Sequence, residues 1–238
     1  MSRALEKQAR EAGCEPLPDE RVKAFGEGLL LYSHGGFEPC PWAFELAHFT
    51  PIRSGDRVLD LGSGGGVLLV ALGLVYPEMG LRLGLERDAR AVQQARRNAR
   101  LNEGLCGQRA SFVRGDVRER PLAKRTFDVV VSNPPFYAPG WGRQSPDPAT
   151  HAATHGVFGD VSDFAFCAAH ALADHGRVVF VFDAGQLTRA LLAFAEAGLT
   201  VRALRFLDDD RGLPARVLVL AGRDGGGLRL ERQAHSGP

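Results

Sequence analysis

From about residue 57 onward the apolar positions fall into short runs, set apart by glycines, prolines and charges. Arg57-Val-Leu-Asp-Leu61 is a compact apolar run that ends in glycines. Val67 to Val75, the longest apolar run in the chain, is helical by length and composition. Leu81-Arg-Leu-Gly-Leu85 reads as a second strand. Asp88 to Asn102 opens with a residue suited to cap a helix and sets Ala91, Val92, Ala95 and Ala99 on one side. Residues 110–114, 127–131 and 177–182 read as further strands, 162–173 and 186–197 as helices. Leu199 to Phe206 and Ala215 to Ala221 form two last strands joined by the turn-rich stretch Asp208 to Pro214.

Strands alternating with helices predict an α/β fold. The expected architecture is a doubly wound, Rossmann-like, mostly parallel sheet of seven strands, covered on both faces. The last two strands, with no helix between them, pair as an antiparallel C-terminal hairpin. Residues 51–230 form this domain, and residues 1–50 form an N-terminal helical segment leading into it. In an open parallel sheet ligands bind beyond the carboxyl ends of the strands, so chemistry is sought just after each strand.

Composition narrows the class. The 238 residues are 45% hydrophobic and 24% charged, too apolar for a disordered chain, and no apolar run approaches the roughly 20 residues of a membrane span. With Lys+Arg 29 and Asp+Glu 28, the net charge of +1 argues against a wholly basic nucleic-acid protein and a wholly acidic one. The N-terminus lacks the apolar centre of a signal peptide, and none of the cysteines forms a Cys-x-x-Cys pair. A cytoplasmic protein with reduced thiols and no membrane partner is expected.

Four post-strand segments carry candidate chemistry. After the first strand comes Asp60-Leu-Gly62-Ser63-Gly64-Gly65-Gly66. Glycines here permit a sharp turn and bring a ligand against bare backbone, and the helix behind offers free N–H groups. The dinucleotide spacing G-x-G-x-x-G would need glycine at position 67, which is Val67. The observed D-x-G-x-G-x-G instead resembles the turn that holds S-adenosylmethionine, whose ammonium Asp60 can accept. Glu86 closes the second strand twenty residues past Gly66, with Arg87 beside it, and suits two ribose hydroxyls. Asp116 and Val117 follow the third strand; they fit the adenine of that cofactor, or equally a turn cap. After the fourth strand stands Ser132-Asn133-Pro134-Pro135-Phe136-Tyr137. The prolines stiffen the loop. The Asn133 side-chain carbonyl and the Pro134 carbonyl can accept both hydrogens of a planar amine, turning its lone pair toward an electrophilic methyl, while Phe136 or Tyr137 stacks on a flat base or amide. Such catalysis needs neither a nucleophilic side chain nor a metal.

These residues resemble the class I S-adenosylmethionine-dependent N-methyltransferases with the N-P-P-[FY] motif. Within that superfamily the chain is most similar to the bacterial tRNA adenine-N6 methyltransferases, over about residues 25–230. Gly36-Phe37, the Ser-Asn-Pro-Pro-Phe-Tyr element, Ala149-Thr-His151 and the final hairpin carry the similarity. The resemblance implies S-adenosylmethionine as cofactor, bound by Asp60, Gly62, Ser63, Gly64, Gly66, Glu86, Arg87, Asp116, Val117 and Asn133. It implies that Asn133, Pro134, Pro135 and Phe136 hold the target amine, with RNA, above all tRNA, as partner.

The substrate is less sharply written. Residues 87–125 carry eleven bases and four acids, which suits an RNA-binding patch or a solvated arginine-rich face. Residues 137–158 read as a substrate lid carrying Tyr137, Trp141 and Arg143. His151 and His155 have no third metal ligand near them, and no metal is expected. A glutamine amide of a protein presents the same two hydrogens as adenine and is the alternative acceptor; a non-catalytic cofactor-binding module is the third reading.

Overall fold

The computed structural model describes residues 2–33, 42–134 and 159–233. Gly36-Phe37, Pro135, Phe136, Tyr137, Trp141, Arg143, His151 and His155, to which the sequence gives candidate roles, lie outside the described residues. The main sheet is built from β3 (Val58–Leu61), β4 (Arg82–Glu86), β5 (Ser111–Arg114), β6 (Phe127–Ser132), β7 (Leu172–Asp183), β8 (Thr200–Asp208), β9 (Pro214–Gly222) and β10 (Arg229–Gln233), in the spatial order β10-β8-β9-β7-β6-β3-β4-β5. Strands β3 to β7 run parallel, and β9 runs antiparallel to both β7 and β8. The α/β class, the mostly parallel sheet and the antiparallel hairpin agree with the sequence expectation.

The strand count does not. An eighth strand, β10, adds in parallel to β8. Apart from the exposed Leu230 its residues are polar, so it has no apolar alternation to betray it. Ion pairs hold it instead: Arg205 to Glu231 at 2.6 Å and Arg232 to Asp208 at 2.8 Å.

Period-two alternation divides the buried strand residues between two cores. Val58, Val129, Val131, Val179 and Val181 face α2 (Ala43–Phe49), α3 (Val67–Val75) and α4 (Ala89–Leu101). Leu59, Leu61, Val130, Phe180 and Phe182 face α6 (Val161–Ala171) and α7 (Leu187–Glu196). A one-turn helix, α5 (Glu103–Cys106), follows α4. Local signals set the helix starts. The Asp88 carboxylate accepts the Ala91 N–H at 2.8 Å, and Asp160 and Asp163 form a reciprocal capping box at α6.

The N-terminal segment is not simply helical. After α1 (Ser2–Glu11) comes a hairpin of β1 (Glu20–Phe25) and β2 (Gly28–Ser33), turning through Gly26 at φ 57°. A two-stranded sheet is marginal alone. Here α4 grips it through an i, i+4 ladder of amides. Asn98 accepts the Leu31 N–H (2.7 Å) and donates to the Leu31 carbonyl (3.0 Å); Asn102 does the same with Leu29 (2.9 and 2.7 Å). One turn earlier, Gln94 donates to the Ser33 hydroxyl at 3.2 Å. The amides meet alternate residues of β2, as a neighbouring strand would. Asn98 also donates to the Gly65 carbonyl at 2.8 Å, tying the hairpin to the glycine turn.

Asn98 is fully buried, so truncation leaves the Leu31 N–H, the Leu31 carbonyl and the Gly65 carbonyl unpaired. Asn98→Ala is expected to destabilise the protein by about 2–4 kcal/mol in urea unfolding; a loss below about 1 kcal/mol would show that water replaces the amide freely.

Candidate functional site

The crevice opens at the carboxyl ends of β3, β4 and β6. Chain direction divides there, β4 and β5 building outward on one side of β3, β6 and β7 on the other, which makes this the switch point of the sheet. Register aligns the ends. Leu61 lies opposite Leu85 on β4 and Ser132 on β6, so the residues that follow, Gly62, Glu86 and Asn133, emerge side by side. The Ser132 hydroxyl donates to the Leu61 carbonyl at 2.7 Å and fixes β6 against β3.

The glycine turn is shaped by backbone that other residues rarely adopt. Gly62, Gly64 and Gly66 have φ of 68°, 50° and 80°, and Gly66 caps α3 in the left-handed conformation. The Gly62 N–H donates to the Leu85 carbonyl at 2.8 Å. Gly64 has nothing within 4 Å of where a Cβ would stand, so its bare face meets open space. A Cβ on Gly62 would lie 2.9 Å from Phe164, and one on Gly66 would lie 2.9 Å from Phe112, so the turn rests on two aromatic side chains from opposite sides of the sheet.

Three buried polar groups around this turn lack partners among the described residues. Asp60, 1% exposed, has one carboxylate oxygen with no hydrogen bond. The Ser63 hydroxyl and the Asn133 side-chain carbonyl are likewise unpartnered. Burial pushes the Asp60 carboxyl well above its ordinary range, and the nearby Glu86 carboxylate adds to the rise. The buried guanidinium of Arg82 stands apart, at the amino end of β4 against the Cys106 thiol. Buried polar atoms normally find partners, so three acceptor-bearing side chains left unpartnered around one turn suit a ligand that brings donors.

Glu86 accepts the Gly64 N–H (2.9 Å) and the Asp88 N–H (2.8 Å), one on each carboxylate oxygen. It bridges the glycine turn and the start of α4, and each oxygen keeps capacity for a second hydrogen bond. Asp116 caps the 3-10 turn Val117–Glu119 and is chelated by Arg118, whose Nη2 donates at 2.6 Å. The Arg118 hydrogen bonds hold its carboxyl below the usual range. Arg87 approaches the same carboxylate at 3.5 Å. Val117 is buried in the second core with Leu61, Leu85 and Phe164, and Pro134 is buried behind Asn133. An ammonium beside Asp60, hydroxyls at Glu86 and a bare surface at Gly64 together fit S-adenosylmethionine.

Sequence reasoning did not find the supports beneath the turn, Phe112, Phe164 and Asn98. The signal for Asn98 was present: asparagines at 98 and 102 fall on the helix face that carries Ala95 and Ala99, where an unpaired amide would be costly.

Residues 32–197 match the family model described as the methyltransferase small domain. A tRNA1(Val) (adenine(37)-N6)-methyltransferase of Tolumonas auensis is 30% identical over 153 residues, which cover 64% of this chain and 62% of that protein. A protein of the same name from Aeromonas hydrophila subsp. hydrophila is 28% identical over 179 residues, covering 75% and 73%. The match thus takes in slightly less than two thirds of the Tolumonas protein. Among solved structures, a predicted O-methyltransferase from Agrobacterium tumefaciens is similar at a TM-score of 0.61 and 20% identity, covering 81% of this chain and 85% of that one. A SAM-dependent methyltransferase from Aquifex aeolicus is similar at 0.55 and 16% identity, covering 77% and 93%. At these identities the structural likeness speaks to the fold.

The raised Asp60 carboxyl has a thermodynamic signature. Folding then favours the protonated form, so Asp60 costs nothing at low pH, where folded and unfolded chains both hold the proton. The cost grows as pH rises past the unfolded value and is complete above the raised folded one. Asp60→Asn removes it. The variant is expected to melt roughly 3 °C or more above the parent at pH 8 and within about 1 °C of it near pH 4. An unchanged or lower melting temperature at pH 8 would mean that the carboxylate is paired.

Proposed function

Because the chain belongs to the methyltransferase small domain family, we propose that it transfers the methyl group of S-adenosylmethionine to the exocyclic N6 amine of an adenine in tRNA. The observation that carries this reading is the buried, unpartnered side-chain carbonyl of Asn133, at the mouth of the same crevice as the unpartnered Asp60. The named activity of the Tolumonas and Aeromonas relatives supports tRNA adenine as the acceptor over a protein amide.

The cofactor supplies an electrophilic methyl group; the chain's own residues supply position and charge. Asp60 accepts the ammonium, which stabilises its ionised form and reverses the cost of burying it. Ser63 and the backbone at Gly62, Gly64 and Gly66 take up the remaining polar edge, and Glu86 accepts the ribose hydroxyls. Asp116, held by Arg118, and Val117 flank the adenine end, with Arg87 against Asp116. Asn133 accepts one hydrogen of the target amine and the Pro134 carbonyl the second. The nitrogen lone pair is then directed into the crevice, and both carbonyls stabilise the positive charge that develops on nitrogen. Pro135 and Phe136 complete the motif, with Phe136, Tyr137, Trp141 and Arg143 the proposed base-side contacts. No described helix is long and apolar enough to cross a membrane, and a cytoplasmic site of action follows from a tRNA substrate.

The test is transfer of radiolabelled methyl from S-adenosylmethionine to bulk tRNA, ribosomal RNA and release factor, followed by nucleoside analysis. Label is expected in tRNA as N6-methyladenosine; label confined to protein would overturn the RNA reading. Asn133→Ala is expected to lower the methyl-transfer rate about 100-fold while changing cofactor affinity less than about threefold, since the lost group faces the acceptor. Equal losses of rate and of cofactor affinity in calorimetry would contradict the role assigned to Asn133.

A further inference from the structure

The exposed edge of the sheet carries a second feature that the crevice does not use. Between α4 and the edge strand β5 lies an open cleft of about 450 Å³. Its charged lining consists of Arg96, Arg97, Arg100 and Arg109, without a carboxylate. The first three recur on α4 at a spacing that sets Arg96 and Arg100 one turn apart, where like charges repel.

Two of these four arginines lack the carboxylate that many surface arginines have. Arg57, Arg211 and Arg232 each sit against an aspartate at 3.0 Å or less. In the cleft, Arg97 is paired with Glu20 at 2.6 Å, and Arg109 with the exposed Glu103 at 3.6 Å. Arg96 donates to the Phe112 carbonyl at 2.9 Å and has no carboxylate among the described residues. The Arg100 guanidinium, on the exposed face of α4, makes no hydrogen bond or ion pair with the described residues. Arg114, at the far end of β5, donates to the Arg87 carbonyl and so links this edge to the crevice mouth. Two guanidiniums without a carboxylate among the described residues, with Arg97 and Arg109 beside them in one concavity, suit phosphate oxygens.

Length selects among phosphate-bearing ligands. Asp88 caps α4 beside Glu86, and Arg100 lies twelve residues further along the helix, about 18 Å at 1.5 Å per residue. A mononucleotide in the crevice cannot span that distance; a polynucleotide can. We propose that the arginine cleft between α4 and β5 docks the phosphodiester backbone of the RNA whose adenine enters the crevice, an inference that rests on the tRNA reading above. Its phosphate contacts set register and affinity and leave base selection to the crevice.

The test is direct tRNA binding, measured by fluorescence anisotropy across a range of salt concentrations, alongside methyl transfer. For R96Q/R100Q/R109Q the tRNA Kd at low salt is expected to rise about 30-fold, and the slope of log Kd against log salt to fall by about 2 to 3. R96K/R100K/R109K, which keeps the charge, is expected to recover all but about fivefold of the affinity. Arg229→Gln, a neutralisation on β10 at the opposite edge, is expected to change Kd less than about twofold. An equal effect from Arg229→Gln would assign the binding to net charge and overturn the cleft. Should the triple glutamine variant fail to fold, Arg100→Gln breaks no hydrogen bond and is expected to lower the slope by about 1; an unchanged slope would overturn the proposal. If the parent methylates tRNA and the glutamine variants bind it with unchanged Kd and slope, the cleft is not the docking site and the proposed activity stands. If the parent methylates no tRNA but binds it through these arginines, the activity fails and the cleft stands. No tRNA binding by the parent would overturn both.

Discussion

The central constraint on this molecule is a buried carboxylate with one unpartnered oxygen in the middle of an apolar sheet. Every residue of β3 is buried, and Asp60 stands among them facing neighbours that offer it no hydrogen bond on one oxygen. Such a group is tolerated only where the surrounding strands are held firmly enough to refuse collapse or flooding. The parallel pairing of β3 with β4 and β6 supplies that rigidity, and the Ser132 bond to Leu61 locks the strand ends. On the proposed reading, the ammonium of the methyl donor would offset the cost of burying the Asp60 carboxylate.

The glycine turn is the second half of this arrangement. Positive φ at Gly62, Gly64 and Gly66 turns the chain out of β3 and straight into α3. A loop of bare backbone would be mobile on its own, yet this one is pinned from three directions. Glu86 accepts from Gly64, Asn98 donates to the Gly65 carbonyl, and Phe112 and Phe164 fill the spaces where side chains would stand. Because Asn98 also grips β2, the N-terminal hairpin and the turn share one anchor. The hairpin is thereby part of the site's support, which explains why a polar residue occupies a fully buried position on α4.

Much of this was legible along the chain, for reasons that can be named. The turn, Glu86 and Asn133 follow apolar runs whose ends are fixed by local pattern, so their convergence comes from the rule that ligands gather beyond parallel strand ends. The helix Val67–Val75 has the bounds that its apolar run suggests. What escaped reading depends on contacts distant in sequence. The hairpin β1–β2 exists because amides some 65–75 residues away bind its backbone. Strand β10 persists through ion pairs to Arg205 and Asp208, and nothing in an exposed, charged pentapeptide announces them. Asp116 shows a subtler limit: it caps the turn through the Arg118 N–H, one of the two alternatives left open for it, but its chelation by the Arg118 guanidinium is a matter of rotamer that spacing cannot decide.

The two faces of α4 divide the labour. Inward, Gln94, Asn98 and Asn102 spend their hydrogen-bonding capacity on β2 and the glycine turn. Outward, Arg96 and Arg100 hold charge that has no carboxylate partner among the described residues. A helix cap at Asp88, adjacent to Glu86, joins the two functions at one end. A polyanion drawn along the outer face would therefore press on the same rigid element that sets the back wall of the crevice. Since that element is anchored to the turn by buried amides rather than by exposed side chains, such docking would align the acceptor without reshaping the cofactor pocket. Affinity for the acceptor and affinity for the methyl donor can then vary independently, a separation that a flexible turn would not permit.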